Sequence, residues 1–366
     1  MDLAGRTVTV RALDTDDEFV EPFDQLLFAT GSLPLRPDLP GLEAKGIFGL
    51  ANVEDGIRLS RFLDGSGARR AVIVGGGYVG LEMAEALLSR GLEVAVVGRG
   101  AQAMGTLDPD MGALVSDALR EAGVAVYLGE DVEGFDVSDG RVRAVVTGAR
   151  RLEADVVVLG MGIRPNSDLA AAGGLKLGER GSIAVDRSMR TGVDGVWAAG
   201  DCAETFHLVS RRPAWIALAP IANKMGLVAG VNIAGGDEVF PGVVGTAAIK
   251  IFEVEVARTG LKETEIQALG LEYATATTES ITRAHYYPGA GKITVKLLAE
   301  KGTGRLLGGQ IVGYEGAAKR IDVLAMALHA GMNVADMVDL DLSYAPPFSP
   351  VWDPVLLAAR DLARRV

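Results

Sequence analysis

Residues 71–99 read AVIVGGGYVGLEMAEALLSRGLEVAVVGR, and their pattern sets the fold. An apolar run, Ala71 to Val74, meets Gly75-Gly76-Gly77-Tyr78-Val79-Gly80; a helix-like stretch, Leu81 to Arg90, follows, and Gly91 stops it before a second apolar run, Val94 to Val97. Strand, glycine turn, helix, strand is the context in which G-x-G-x-x-G predicts dinucleotide binding. Gly75 allows the turn, Gly77 lets a pyrophosphate approach the backbone, and Gly80 lets helix pack closely on strand. The phosphates then rest on free N–H groups at the positive end of the helix.

The remaining composition narrows the class. The 366 residues are enough for about two or three domains. Hydrophobic residues make up 49%, yet no uninterrupted apolar run approaches a membrane span. The first residues, MDLAGRTVTVRALDTDDE, carry acids where a signal peptide needs a basic and then apolar lead, so a soluble cytoplasmic protein is expected. A net charge of −12 with interspersed signs argues against nucleic acid or anionic membranes as partners. Cys202 is the only cysteine and His207, His285 and His329 are scattered, so neither a disulfide framework nor a metal site is expected. No G-x-S-x-G elbow is present.

Outside the opening stretch, Thr7 to Val10 is β-prone, and Asp24 to Gly31 is an apolar strand ending in Thr-Gly before Pro34, Pro37 and Pro40. Asp110 to Ala122 has helical spacing, Val124 to Leu128 reads as a strand, and Val132 to Val146 as a β-meander turning at Ser138-Asp139-Gly140. Asp155 to Leu159 is wholly apolar and is broken by Gly160-Met161-Gly162. A short helix, Ile183 to Val185, the strand Val193 to Ala199 and a helix from about Ile216 to Ile233 come next. From Gly245, β-prone runs (Ala247–Phe252, Leu271–Thr278, Lys292–Leu298, Leu306–Val312) and a helix at Ala317 to Ala330 indicate an α+β domain. Asp341 to Pro350 is too proline-rich for regular structure, and a terminal helix starts at Asp353.

FDQLLFATGSLP, GGGYVGLEMAEAL, GMGIRPNSDL, RTGVDGVWAAGDCAE, ANKMGLVAGVNIAGG, EVARTGLKETE, AHYYPGA and LSYAPPFSPVWDP together resemble the FAD-dependent pyridine nucleotide–disulfide oxidoreductases, in the branch of coenzyme A-disulfide reductase and the NADH oxidases. The resemblance implies an α/β chain with FAD- and NAD(P)-binding Rossmann-like domains, the FAD one incomplete, plus a C-terminal α+β dimerisation domain. It divides the chain into a remnant of the FAD domain (1–40), an NAD(P) domain (41–165), the FAD domain continued (166–240) and the dimerisation domain (241–366). FAD and NAD(P)H are the implied cofactors, a small molecule the substrate, and a second copy the partner.

The same resemblance assigns residues. Thr30, Gly31, Gly200 and Asp201 belong to the flavin side, with Asp201 accepting a hydrogen bond from a ribityl hydroxyl, and the helix near Ala219 aims its N–H groups at the flavin. Tyr78 and Glu82 lie beside the nicotinamide, and Gly162 joins Gly75, Gly77 and Gly80 among the coenzyme-contacting residues. Gly98 stands where a ribose-binding acid selects NAD, and Arg99, either a phosphate partner or a surface residue, follows it. Tolerance of NADPH, or a preference for it, is therefore expected. Tyr286 (or Tyr287) and Tyr344 are the candidate catalytic residues, reaching the active site of the second subunit. Trp352 occupies a position where this branch often has a lysine, which weakens the case for a coenzyme A substrate.

The family begins with a strand–glycine turn–helix for the FAD pyrophosphate and a redox-active cysteine. Neither motif occurs here, so the expectation is a truncated form of a flavoenzyme passing hydride from NAD(P)H through FAD to a disulfide, oxygen or peroxide. The alternatives are an inactive or partner-dependent nucleotide-binding remnant and a ferredoxin-reductase-like flavoprotein. Cys202 follows Gly-Asp and is expected to be inert.

Overall fold

In a computed structural model that describes residues 1–366, the chain forms two compact units: residues 1–33 with 163–243, and residues 34–162 with 244–366. The glycine turn lies in the second.

That unit holds a five-stranded parallel sheet in the order Ile47–Gly49, Val156–Leu159, Arg70–Val74, Glu93–Gly98, Ala125–Leu128. Period-2 alternation sends successive side chains to opposite faces. Ala71 and Ile73 pack with Leu81, Ala84 and Leu87 of the helix Tyr78–Ser89 and with Met111, Val115 and Leu119 of the helix Pro109–Glu121. Val72 and Val74 face the other way, onto Phe135, Val142 and Val145. These come from the antiparallel strands Val132–Ser138 and Arg141–Thr147, which Arg151–Glu153 extends to three. Both faces are covered, which is why the strands read as continuous apolar runs.

The same unit carries a five-stranded antiparallel sheet, ordered Ala247–Ile251, Val254–Gly260, Leu306–Gly313, Lys292–Glu300, Tyr273–Ile281, with the helices Ala317–Ala330 and Pro354–Leu362 packed on it. Val254–Gly260 is a strand that the spacing did not reveal. It pairs on both sides, from Ala247↔Arg258 on one edge to Gly260↔Gly308 on the other. The helix Val53–Ser66 also escaped the sequence reading, although Asn52 and Asp55 form a reciprocal capping box that announces its start. No regular element occurs between Val338 and Pro354, as the prolines of that segment require.

In the other unit Leu26–Phe28 pairs in parallel with Val196–Ala198, register Val196↔Leu26. Its core gathers Phe28, Met189, Trp197, Cys202 and Met225 of the helix Ala219–Ile233. Thr7–Arg11 and Glu18–Pro22 form an antiparallel hairpin. Ile183 to Val185 is not a helix: Ile183 makes isolated bridges to Leu177 and Ala203, and the short helix of this stretch is Asp168–Ala172.

Candidate functional site

The turn after Arg70–Val74 is built by backbone contact. Gly75 has φ +111°, and a Cβ there would lie 2.2 Å from the carbonyl oxygen of Gly160; a Cβ on Gly80 would lie 2.1 Å from that of Gly75. Only glycine fits either place. Gly160, which sequence reasoning took merely as a break, is the third member, since its own Cβ would stand 2.9 Å from Gly80 Cα. The signal was available: Gly160 closes a buried strand that neighbours the turn strand in the sheet.

Gly77 differs from these. It is the N-cap of the helix Tyr78–Ser89, extended at φ −92°, ψ −172°, with no side-chain cap, and a Cβ on it would meet nothing closer than Gly160 O at 4.0 Å. The space above the helix start is open, and the first N–H groups point into it without intrahelical partners. Tyr78 and Glu82 sit one turn apart on this helix, Tyr78 half-buried against the core and Glu82 exposed.

Beside the turn is a cavity of about 320 Å³ lined by Gly75, Gly98, Arg99, Glu130, Asp131, Met161 and the connection Leu35–Arg36–Pro37–Leu39. Arg99 is exposed and forms no ion pair. Glu130, by contrast, is fully engaged. Arg150 reaches it at 2.7 and 2.9 Å, Thr147 Oγ1 donates at 2.8 Å, and Arg150 stacks 4.3 Å over the Tyr127 ring. The Arg150 hydrogen bond holds the Glu130 carboxyl below its usual range. Gly162 has φ +101° and its carbonyl accepts from Leu35 N at 2.9 Å, closing one wall.

In the other unit, Thr30-Gly31 and Gly200-Asp201 follow the two parallel strands, so they lie side by side at their carboxyl ends, where open α/β sheets bind ligands. Ser32 Oγ donates to Asp201 Oδ2 at 3.2 Å, and Trp215 Nε1 donates to the Asp201 carbonyl at 2.7 Å. Thr30 is fixed by reciprocal bonds with Asn166, at 2.5 and 3.1 Å. Ala219 opens its helix exposed, with no side-chain cap. Cys202 is fully buried, its Sγ 3.4 Å from the Phe28 and Ala199 carbonyls, surroundings that suit an inert thiol.

Tyr286 and Tyr344 come together in the C-terminal part of the second unit. They share a hydrogen bond, and His285 meets the Tyr286 ring edge-on at 5.3 Å. Burial first, then the hydrogen bond and charge of Tyr286, push the Tyr344 hydroxyl above its ordinary value. Arg320, which sequence reasoning missed, ties their loops. It donates to Thr282 O and Phe348 O at 2.9 and 2.8 Å while paired with Asp353 at 2.8 Å. Around these tyrosines Tyr287, Phe348, Val351 and Trp352 are also exposed.

Residues 1–226 match the pyridine nucleotide-disulphide oxidoreductase family and residues 246–354 match its dimerisation domain. The chain belongs to this family. A relative described as an NAD(P)H sulfur oxidoreductase (CoA-dependent), from Pyrococcus abyssi, is 42% identical over 354 residues, covering 96% of this chain and 79% of the relative. An NADH oxidase from Methanocaldococcus jannaschii is 33% identical, covering 100% of this chain and 82% of its own length. Among solved structures, an NAD-dependent persulfide reductase from A. fulgidus superposes with a TM-score of 0.95 at 41% identity, covering 100% of this chain and 68% of that one.

Pyridine nucleotide-disulphide oxidoreductases use FAD and NAD(P)H, and the residues present fit both. For the nicotinamide coenzyme the test is the cradle at Gly77, open where a methyl would otherwise project, with uncapped N–H groups beneath it. For FAD the fit rests on the donor set of the other unit: a carboxylate, Asp201, at a strand's end, and an uncapped helix start at Ala219. The chain carries one G-x-G-x-x-G turn, and it lies in the unit of residues 34–162 and 244–366.

Proposed function

We propose that this oxidoreductase carries hydride equivalents from NAD(P)H to a small sulfur–sulfur substrate, a disulfide or persulfide of the coenzyme A type. Overall, NAD(P)H, one proton and a disulfide give NAD(P)⁺ and two thiols. The observation that carries the reading is the open, uncapped Gly77 cradle beside a cavity with an unpaired arginine. Relatives named as sulfur oxidoreductase and persulfide reductase support the acceptor class.

Bound FAD supplies a two-electron relay between nicotinamide and sulfur. The chain's own residues would bind and orient the groups. The N–H groups after Gly77 hold the pyrophosphate, and Arg99 pairs with a ribose 2′-phosphate where Gly98 offers no competing acid. Tyr78 and Glu82, one turn apart on the helix after the glycine turn, would lie beside the nicotinamide, where Glu82 would orient the carboxamide. Asp201 accepts from the ribityl chain, while the helix opening at Ala219 favours negative charge at its N-terminus. In a homodimer built through the C-terminal dimerisation domain, Tyr286 and Tyr344 would contact the substrate of the other copy. The exposed aromatic patch around them supports that use. Trp352 is not without a cation, because the Arg360 guanidinium lies 5.5 Å over its ring.

The test is oxidation of NADPH and NADH by FAD-reconstituted protein, offered coenzyme A disulfide or coenzyme A persulfide under anaerobic conditions and, in a parallel aerobic arm, oxygen alone. Thiol release matching coenzyme oxidation supports the reading. Turnover with oxygen alone would replace it by an oxidase, and no turnover with any acceptor would end it.

A further inference from the structure

The loop that joins the strand Glu93–Gly98 to the helix Pro109–Glu121 carries Arg99 at its start and touches the glycine turn in its middle. Met104 N donates to Gly76 O at 2.7 Å. Met104 is buried and sits at φ +53°, a conformation unfavourable for methionine that persists only when its surroundings enforce it. Part of the enforcement is local: Ser116 Oγ accepts from Ala103 N at 3.1 Å, and Gln102 Nε2 donates to the carbonyls of Leu107 and Asp108.

The rest comes from the antiparallel sheet and its first helix, far away in sequence. Lys262 Nζ donates to Gly105 O at 2.6 Å, Arg258 donates to Thr106 O at 3.0 Å, and Gln310 Oε1 accepts from Asp108 N at 2.8 Å. Behind these hooks, Lys296, 3% exposed, stands 3.3, 2.7 and 2.5 Å from Asp108, Asp110 and Glu263. Gln310 Nε2 also donates to Asp108 Oδ2 at 2.7 Å. The three carboxylates would otherwise form a candidate cation site, but the ammonium already fills it.

We propose that Lys262, Arg258 and Gln310 are positioning residues for the coenzyme: through the loop 99–108 they set where Arg99 meets a 2′-phosphate and how the Gly76 carbonyl shapes the phosphate turn. The inference rests on the coenzyme reading above. None of the three touches the coenzyme cavity, so they act through the loop.

The experiment uses Lys262→Ala, whose ammonium reaches the loop from the surface, and Gln310→Leu, which removes a buried hook. Arg305→Ala is the control. It breaks a pair with Glu300 on the same sheet that does not reach the loop. Binding of 2′,5′-ADP is titrated calorimetrically, and amide exchange is followed in the peptide containing Met104. Losing one charge-assisted hook is expected to weaken 2′,5′-ADP binding about three- to tenfold and to speed Met104 exchange by a similar factor, with 5′-AMP binding changed less. Arg305→Ala should lower stability and leave both readouts at wild-type values.

Unchanged binding and exchange in both hook variants would overturn the proposal, as would equal losses in the control. Wild-type protein that fails to bind 2′,5′-ADP would remove the 2′-phosphate role of Arg99, and this proposal with it, while NADH turnover would still stand for the coenzyme reading. Wild-type binding with unaffected variants removes the proposal alone.

Discussion

Gly77 and Gly80 stand three residues apart in one motif, and the structure gives a methyl group at each a different consequence. In Gly80→Ala the new Cβ lies 2.1 Å from Gly75 O and 3.2 Å from Ile73 Cγ2. An ordinary carbon–oxygen contact is about 3.3 Å, so turn and helix must part by about 1 Å. Overpacking against backbone costs about 3 kcal/mol. Alanine's better helix propensity returns about 1 kcal/mol. The net loss is therefore about 2 kcal/mol, a fall of roughly 4 to 8 °C in Tm for a unit of this size. In Gly77→Ala the backbone is already extended and the methyl clears every protein atom by 4.0 Å or more. The poorer N-cap and the reduced freedom of the unfolded chain offset each other to within about 0.5 kcal/mol. That methyl instead occupies the space assigned to the pyrophosphate, so NADPH affinity should fall at least about tenfold, or about 1.4 kcal/mol. Thermal melts followed by circular dichroism, paired with calorimetric titration of NADPH, separate the two effects. A Gly77→Ala protein that binds NADPH normally, or a Gly80→Ala protein that melts like wild type, would show that this turn is not built for phosphate as argued.

Gly98→Asp combined with Arg99→Ala should move the NADH/NADPH ratio of kcat/KM toward NADH by about tenfold or more; a Cβ at Gly98 has no neighbour closer than 3.7 Å, so an unmoved ratio could not be blamed on misfolding. At Asp110, burial raises the pKa from 3.8, but the hydrogen bond and charge of Lys296 outweigh burial and the net shift is downward. Its stabilisation is therefore complete above about pH 3.8 and is lost as pH falls through the lower folded value. Denaturant titrations of Asp110→Asn should show a deficit at neutral pH that closes below that range, and a deficit constant with pH would contradict the assignment. The Lys296 pKa, lowered by burial but raised on balance by Asp110, Glu263 and Asp108, gives the mirror case, with stabilisation present below 10.5 and lost as pH climbs through the higher folded value. Tyr286→Phe removes the hydrogen bond that raises Tyr344, so tyrosinate absorbance should show Tyr344 ionising at lower pH; an unchanged titration would disconnect the pair.

What the sequence disclosed follows the range over which each rule acts. The glycine turn was legible because its strand, turn and helix fit within 29 consecutive residues, 71–99, and the contacts that require glycine at 80, with Gly75 and Ile73, are local; those at Gly75 are not. The neighbours of Gly75, Gly160 and Met161, follow a strand some eighty residues on and come close only when the parallel sheet forms. Thr30-Gly31 and Gly200-Asp201 were found by motif, yet their adjacency exists only through the pairing of Leu26–Phe28 with Val196–Ala198. Lys296 was illegible for a different reason. Lys292-Ile293-Thr294-Val295-Lys296 reads as an edge of alternating polar and apolar residues, in which a lysine belongs to the solvent face. Its burial is set by Asp108, Asp110 and Glu263, none of them nearby in sequence.

The buried lysine also bears on why the parallel sheet of the glycine turn is joined to an antiparallel one at this place. Replacing such a charged cluster by apolar side chains of similar volume is often neutral or stabilising, so stability is a weak account of it. Geometry is a stronger one. One ammonium can satisfy Asp108 and Asp110 at the start of the helix Pro109–Glu121 and Glu263 at the start of the helix Glu263–Ala268 only in a single arrangement of the two elements. An apolar contact would tolerate small slides of one element past the other, whereas three carboxylates on one nitrogen do not. That arrangement fixes Asp108, the last residue of the loop whose first residue is Arg99. The glycine turn is thus held from both ends: at Gly80 by Gly75 and Gly160, and at Gly76 by a loop anchored on the C-terminal sheet.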